Sequence, residues 1–244
     1  MESDHDSELR FRSDMTVELV KHSAADTDVI WAARVSTAGE QSVGEAHKDP
    51  ERSRGLINYL MRDRHGSPFE HSSMTFLIVA PIFVFREFQR HRAGWSYNEE
   101  SARYRELAPV FYLPAADRKL IQLGRAGKYH FEEGTAEQHE LTESTMREAY
   151  RHSYGMYQKM LSNGIAREVA RAVLPVGIYS SMYATCNSRA LMHFLSLRTM
   201  HEQATVPSFP QREIEMVAEQ MEDLWAKLMP LTHEAYNLHG RRSP

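Results

Sequence analysis

Residues 90–105, Arg-His-Arg-Ala-Gly-Trp-Ser-Tyr-Asn-Glu-Glu-Ser-Ala-Arg-Tyr-Arg, crowd cations, hydroxyls, an amide and carboxylates behind an apolar strand and an apolar helix. Three adjacent cations repel one another, and successive residues of a helix point about 100° apart. Arg90-His91-Arg92 therefore suits a bulky polyanion, or several anions, held at a helix end. Arginine adds bidentate anion recognition and a charge that does not titrate away. The Ser, Asn and Glu groups that follow could read a polar ring edge, so the stretch reads as a nucleotide cradle. The competing explanation is that the cations only complement a helix dipole, worth about 0.3–1 kcal/mol each.

Other groups point the same way. Leu191, Phe194, Leu195 and Arg198 fall at i, i+3, i+4 and i+7, one buried helix face. An arginine that continues an apolar stripe is costly unless paired, so Arg198 either snorkels or reaches an anion in a cleft. Arg167 and Arg171 share a helix face, with Glu168 placed to pair with Arg171 at i+3. His65, Glu70 and His71 could in principle bind a metal, but no His-Glu-x-x-His spacing supports it, and no metal is expected. There is no Gly-x-Gly-x-x-Gly, no P-loop and no Gly-x-Ser-x-Gly. Cys186, between Thr185 and Asn187 in a strand-like run, reads as packed rather than nucleophilic. Any chemistry then belongs to a cofactor.

The elements that must carry these groups follow from periodicity and caps. Strands are expected at Met15–Val20, Ser72–Ala80, Val110–Leu113 and Ile178–Cys186. Ser72–Ala80 is apolar on both faces and should be central. Helices are expected at Asp26–Val35, capped by Asp26 or Thr27, at Pro50–Arg62, and from Pro81 to a stop at Gly94. Others cover Glu137–Leu161, Ile165–Leu174, Ser188–Thr199 and Pro210–Met229. Residues 37–49 and 114–134 read as loops, the second a surface loop or lid. Helices and strands mix without regular alternation, which gives an α+β fold with a mostly antiparallel or mixed sheet packed against helices.

At 244 residues the chain can bury a substantial core. A net charge of -4 and a pI near 6.4 argue against a general nucleic-acid binder. One cysteine excludes an internal disulfide and a cysteine-rich zinc site. No apolar run is long enough for a transmembrane helix, and residues 1–14 lack a signal-peptide core. The expectation is a cytoplasmic protein without membrane or nucleic-acid partners, with a disordered tail at 1–14 and one catalytic domain at 15–240.

These residues resemble the flavin-dependent thymidylate synthases. That family is marked by Arg-His-Arg, a serine after seven intervening residues, then a glycine or similar residue and Arg-Tyr. Here Arg90-His91-Arg92 leads to Ser101-Ala102-Arg103-Tyr104, with eight residues intervening and the extra one near Gly94-Trp95. Ala32-Ala-Arg-Val-Ser36, Ser67-Pro-Phe-Glu-His71, Ala80-Pro-Ile-Phe83, Arg167-Glu-Val-Ala-Arg171 through Pro175, and Asn187 through Arg198 are similar too. The loop Thr205–Pro210 looks longer than in the family.

The resemblance implies an α+β homotetramer with FAD in active sites between subunits. It implies methylation of dUMP to dTMP, with carbon from 5,10-methylenetetrahydrofolate and reducing equivalents from NADPH. It assigns Ser67, Arg90, His91, Arg92, Glu99, Asn187, Ser188, Arg189, His193 and His65 to the flavin. It assigns Glu87, Phe88, Gln89, Arg90, Glu99, Glu100, Ser101, Ala102, Arg103, Arg171 and Arg198 to dUMP, with Arg198 as the catalytic residue that stabilises ionised N3. The main rival within enzymes is a different flavin or nucleotide-modifying oxidoreductase using the same cradle; a rival of another class is a non-catalytic RNA or nucleotide binder, and a third is a metal-dependent hydrolase using His65, Glu70 and His71.

Overall fold

Apolar spacing says which residues seek a core; the computed structural model, which describes residues 9–45, 49–125 and 127–244, shows where they find one. Contacts gather into two compact units. The first holds the described part of Met1–Met15, with Val79–Phe88 and Glu99–Ser181; the second holds Thr16–Ile78, Gln89–Asn98 and Met182–Pro244.

In the second unit, α1 (Asp26–Ala38) is followed by a 3-10 turn and the short α2 (Ser42–Glu45), where a polar loop is expected. The α1 cap is Ala25, whose backbone N–H donates to Asp28 Oδ2 at 2.9 Å, not Asp26 or Thr27. Asp26 instead accepts from the Leu231 and Thr232 amides and the Thr232 hydroxyl, at the start of α9 (Pro230–Leu238). The next helix, α3 (Pro50–Arg62), has the expected bounds. Asp49 accepts from the Glu51 and Arg52 amides, and Pro50 sits where a missing N–H costs nothing. Ile57, Leu60 and Met61 bury its apolar face.

The four-stranded sheet runs in the order β2-β3-β8-β4, with β2 at Thr16–Ser23, β3 at Ser73–Pro81, β8 at Tyr179–Cys186 and β4 at Trp95–Glu99. The central place of β3 matches its two apolar faces: Met74, Phe76 and Ile78 are fully buried, and Thr75 and Leu77 are half-buried. The Thr75 and Thr185 hydroxyls meet at 2.9 Å across β3 and β8. The apolar faces of α7 (Ser188–Arg198) and α8 (Arg212–Leu228) complete this core with Leu191, Phe194, Leu195, Val217, Met221 and Trp225.

In the first unit, β1 (Arg10–Arg12) pairs in parallel with β5 (Val110–Tyr112). Leu9 and Phe11 pack against a core of Ala102, Leu107, Phe111, Leu113, Tyr150 and Ile178. Of the expected disordered tail, residues 1–8 lie outside the described residues, while Arg10–Arg12 are ordered by strand pairing and apolar contact. The expected loop 114–134 contains an antiparallel hairpin, β6 (Ile121–Arg125) and β7 (Lys128–Glu132). A capping box at Thr135 and Gln138 starts α5 (Ala136–Ser162). Where one helix is expected over 165–174, α6 covers only Arg167–Ala170 before a 3-10 turn.

The helix after Pro81 is also shorter than its sequence suggests: α4 spans Ile82–Phe88. Gln89 and Arg90 are in a turn, His91 and Arg92 in irregular backbone, and Trp95 already begins β4. The cation cluster thus lies beyond a helix rather than on its last turn.

Candidate active site

The second unit gathers most of the flavin assignments around the first turns of α7. Asn187 caps that helix, its Oδ1 accepting from the Ala190 amide at 2.8 Å. The 92–95 turn, where the extra residue is expected, closes with Trp95 N donating to Arg92 O at 3.3 Å and Gly94 at φ +74°. A Cβ at Gly94 would meet Ala190 Cβ at 2.9 Å and Asn187 Nδ2 at 3.4 Å, so glycine lets the Arg90–Arg92 turn lie against the start of α7. The loop carrying His65 and Ser67 is tied to the same helix. Arg189 donates to Glu70, and a Cβ at Gly66 would sit 2.5 Å from the Arg189 guanidinium carbon.

His65, Ser67, Gln89, Arg90, Arg92 and His193 are exposed, and Asn187 and Arg189 half-buried. Arg90 and Arg92 form no ion pair with another described residue. Ser188 behaves differently: it is fully buried, its hydroxyl shares a 2.7 Å hydrogen bond with Ser72, and its amide donates to Ser72 Oγ at 3.0 Å. That engagement makes Ser188 a packing residue rather than a side chain presented to a ligand.

His91 is also turned inward, with 5% of its surface exposed. Arg198 Nε donates to His91 Nε2 at 3.1 Å. This is the partner that an arginine ending an apolar stripe requires. The imidazole packs edge-on against Phe194 at 4.9 Å, and Tyr97 OH donates to His91 O at 2.8 Å. Burial, then the charges of Arg198, His193 and Arg90, push the His91 pKa down to about 4. Its buried ring is held neutral, so it offers the site no cation of its own.

The first unit holds most of the dUMP assignments. The Glu100 amide donates to Ser181 O at 2.8 Å, Ser181 Oγ donates to the Glu100 carboxylate at 3.3 Å, and Arg105 pairs with it at 3.2 Å. Ser101 Oγ accepts from the Arg103 amide at 3.3 Å, forming the turn 101–105. Arg103 pairs with Glu168 of α6 at 3.2 Å, which replaces the expected Glu168–Arg171 pair and draws the turn towards the segment bearing Arg171. Both ends of that pair are about half exposed, so it is worth at most about 1 kcal/mol and yields readily to a phosphate. Burial raises the Glu99 carboxyl above its ordinary range, as does Glu100, against the Ser180 hydroxyl and Arg171. Arg171 is exposed and Glu87 half-buried, whereas Phe88 and Ala102 are buried apolar groups. Tyr104, 77% exposed beside Arg103, is a large aromatic surface that the sequence reading left out of the site.

His65, Glu70 and His71 have separate partners: His65 faces Tyr59, Glu70 pairs with Arg189, and His71 packs edge-on against Trp31. No group of three metal-ligating side chains gathers among the described residues. Cys186 is buried, and burial raises its thiol pKa, as expected of a packed group rather than a nucleophile. No helix among the described residues is long and apolar enough to cross a membrane.

Comparison with known proteins identifies the family. A family model described as thymidylate synthase complementing protein matches residues 18–231, running through both units. A flavin-dependent thymidylate synthase of Streptomyces avermitilis is 74% identical over 234 residues, covering 96% of this chain and 95% of the relative. One from Streptomyces coelicolor is 72% identical over 239 residues, covering 98% and 97%. Among solved structures, the UMP/dUMP methylase PolB from Streptomyces cacaoi, bound with 5-Br dUMP, superposes with a TM-score of 0.91 at 58% identity. That match covers 97% of this chain and all of the other.

Proposed function

The chain belongs to the flavin-dependent thymidylate synthase family, and from that membership we propose that it methylates dUMP to dTMP. The proposed carbon donor is 5,10-methylenetetrahydrofolate and the reductant NADPH, acting through FAD in a cytoplasmic homotetramer with active sites between subunits. The continuous family match supports reading residues 15–240 as one catalytic domain. The observation that carries the reading is Arg198, an arginine on an apolar helix face whose Nε is fixed by a buried imidazole.

The residues present fit a flavin dinucleotide. Arg90 and Arg92, exposed and without ion pairs among the described residues, suit a pyrophosphate, and Ser67 and His193 are exposed hydrogen-bonding groups on the same unit. Reduced flavin would supply the hydride that completes the new methyl group. The protein's own part is orientation and charge. Arg103 and Arg171 take the dUMP phosphate, Arg103 leaving Glu168 to do so. Glu87, Gln89, Glu99, Glu100 and Ser101 orient the nucleoside. Pyrimidine C5 is a weak nucleophile, so Arg198 stabilises N3 as it ionises and directs electron density to C5. A positioned donor of this kind contributes roughly 3–4 kcal/mol to the barrier. C5 would form its bond to the folate-derived carbon and lose its proton, that carbon's bond to the folate nitrogen breaking so that tetrahydrofolate leaves, without a protein nucleophile.

The test is tritium release from C5-labelled dUMP with FAD and NADPH, with and without methylenetetrahydrofolate. Folate-dependent release together with dTMP is expected. No release from folded, flavin-loaded protein would move the function to another flavin reaction. Arg198→Ala should lower turnover by about 10²–10³-fold with the fold intact; an unfolded variant would make Arg198 structural. UMP belongs in the same assay as a second substrate, because the similar Streptomyces cacaoi protein is described as a UMP/dUMP methylase.

A further inference from the structure

We infer that His91 is a positioning residue for Arg198, its Nε2 lone pair accepting the Arg198 Nε–H and setting the direction of the guanidinium. The inference rests on the catalytic reading of Arg198. Guanidinium carries five donors and no acceptor, so the 3.1 Å contact requires an unprotonated His91 Nε2 and settles the role of that nitrogen. Because the group is planar, fixing Nε–H also fixes the plane of the two terminal amino groups.

The acceptor is itself held. Phe194, fully buried one turn before Arg198, supports the ring edge-on at 4.9 Å. Trp95 packs on Phe194 at 5.4 Å and stacks on Tyr97 at 5.7 Å, and Tyr97 bonds the His91 carbonyl. The charged and titratable neighbours, Arg198, His193 and Arg90, all oppose a proton on His91, and burial opposes it further. A lysine or protonated group in this place would repel Arg198; an apolar one would remove the acceptor of its Nε–H. The central residue of the Arg-His-Arg run thus serves its neighbour in space rather than the ligand that its two flanking arginines face.

The test compares His91→Phe, which removes the acceptor, with His91→Gln, whose amide oxygen restores one. Flavin content, dUMP affinity, thermal unfolding and C5 tritium release are measured on FAD-loaded protein. His91→Phe should bind flavin and dUMP within about threefold of the parent and lose about 10²-fold in kcat, the scale of a misplaced catalytic group. His91→Gln should recover at least tenfold of that loss. In an Arg198→Ala background His91→Phe should have no further effect on residual turnover, an outcome that a general packing role does not produce.

Equal activity of the two variants, additive losses in the double variant, or flavin loss in parallel with activity would overturn the proposal. If His91→Phe does not fold, His91→Leu takes its place in the same comparison. Full activity in Arg198→Ala would refute the underlying reading of Arg198; an inactive Arg198→Ala beside an unaffected His91→Phe would refute the positioning role alone.

Discussion

Arg241→Met should be among the most destabilising single changes in this protein. Arg241 is 2% exposed and binds Glu222 through both carboxylate oxygens, each at 2.6 Å. It also donates to Asn237 Oδ1 at 2.6 Å and to Thr199 Oγ1 at 3.0 Å, clamping the residue that follows Arg198. Removing one partner of a buried pair costs about 3–5 kcal/mol, because the other charge stays buried without compensation. For a chain of this size 1 kcal/mol moves Tm by about 2–4 °C, so Tm should fall by about 6–20 °C. The pH dependence separates this cause from lost packing. Burial alone would raise the Glu222 pKa, but bonds from His233 and Arg241 outweigh it and bring it down to about 2 from 4.5. A depressed carboxyl stabilises above its unfolded pKa and loses that contribution as pH falls from about 4.5 towards 2, roughly 3 kcal/mol in all. Thermal and urea unfolding at fixed protein concentration, from pH 7 to 3, should show this loss in the parent and a weaker one in Arg241→Met. Glu222→Gln combined with Arg241→Met should recover part of the stability. A shift below 1 kcal/mol at pH 7, or identical acid profiles, would refute the clamp.

Three further outcomes are expected. Gly94→Ala places a Cβ 2.9 Å from that of Ala190 at φ +74°, so stability should drop by about 2 kcal/mol and flavin affinity with it, read by unfolding and flavin titration; unchanged flavin affinity would detach the turn from the cofactor. Cys186→Ser should keep turnover in the tritium assay, and a folded but dead variant would reinstate a thiol nucleophile. Native His91 takes its proton near pH 4 instead of the usual 6.5. The unfolded chain therefore binds more protons between those values, and stability falls with pH there, by about 2 kcal/mol from pH 7 to 5. Parallel urea midpoints for the parent and His91→Phe across that range would count against a neutral His91.

Local rules made some of this architecture legible. Asp49-Pro50 and the spacing of Ile57, Leu60 and Met61 define α3, because cap and apolar stripe agree. The two-faced apolar run gives β3 its central place. Where long-range pairing overrides local preference, the sequence misleads. Gln89–Arg92 is compatible with helix, yet α4 stops at Phe88 and the chain turns so that Trp95–Glu99 can join the sheet beside β8. The alternation of Trp95 and Tyr97 was a strand signal, hidden among the charged residues around it. The hairpin at Ile121–Glu132 was likewise masked by a polar composition.

Availability of a side chain to a ligand was harder to read than its type. The stripe ending at Arg198 told correctly that the guanidinium needs a partner, but His91 lies 107 residues away and no spacing rule reaches it. Ser188 has the chemistry of a ligand group and spends it on Ser72, 116 residues distant. The contrast is clearest between two arginine–glutamate pairs. Arg103–Glu168 is about half exposed at both ends, so exchanging the carboxylate for a phosphate costs little. Arg241–Glu222 is nearly excluded from water, and an anion would have to break four hydrogen bonds to reach the guanidinium. The residue types are the same in both. Burial alone makes one arginine a candidate phosphate ligand and the other a fixed support for the end of α7.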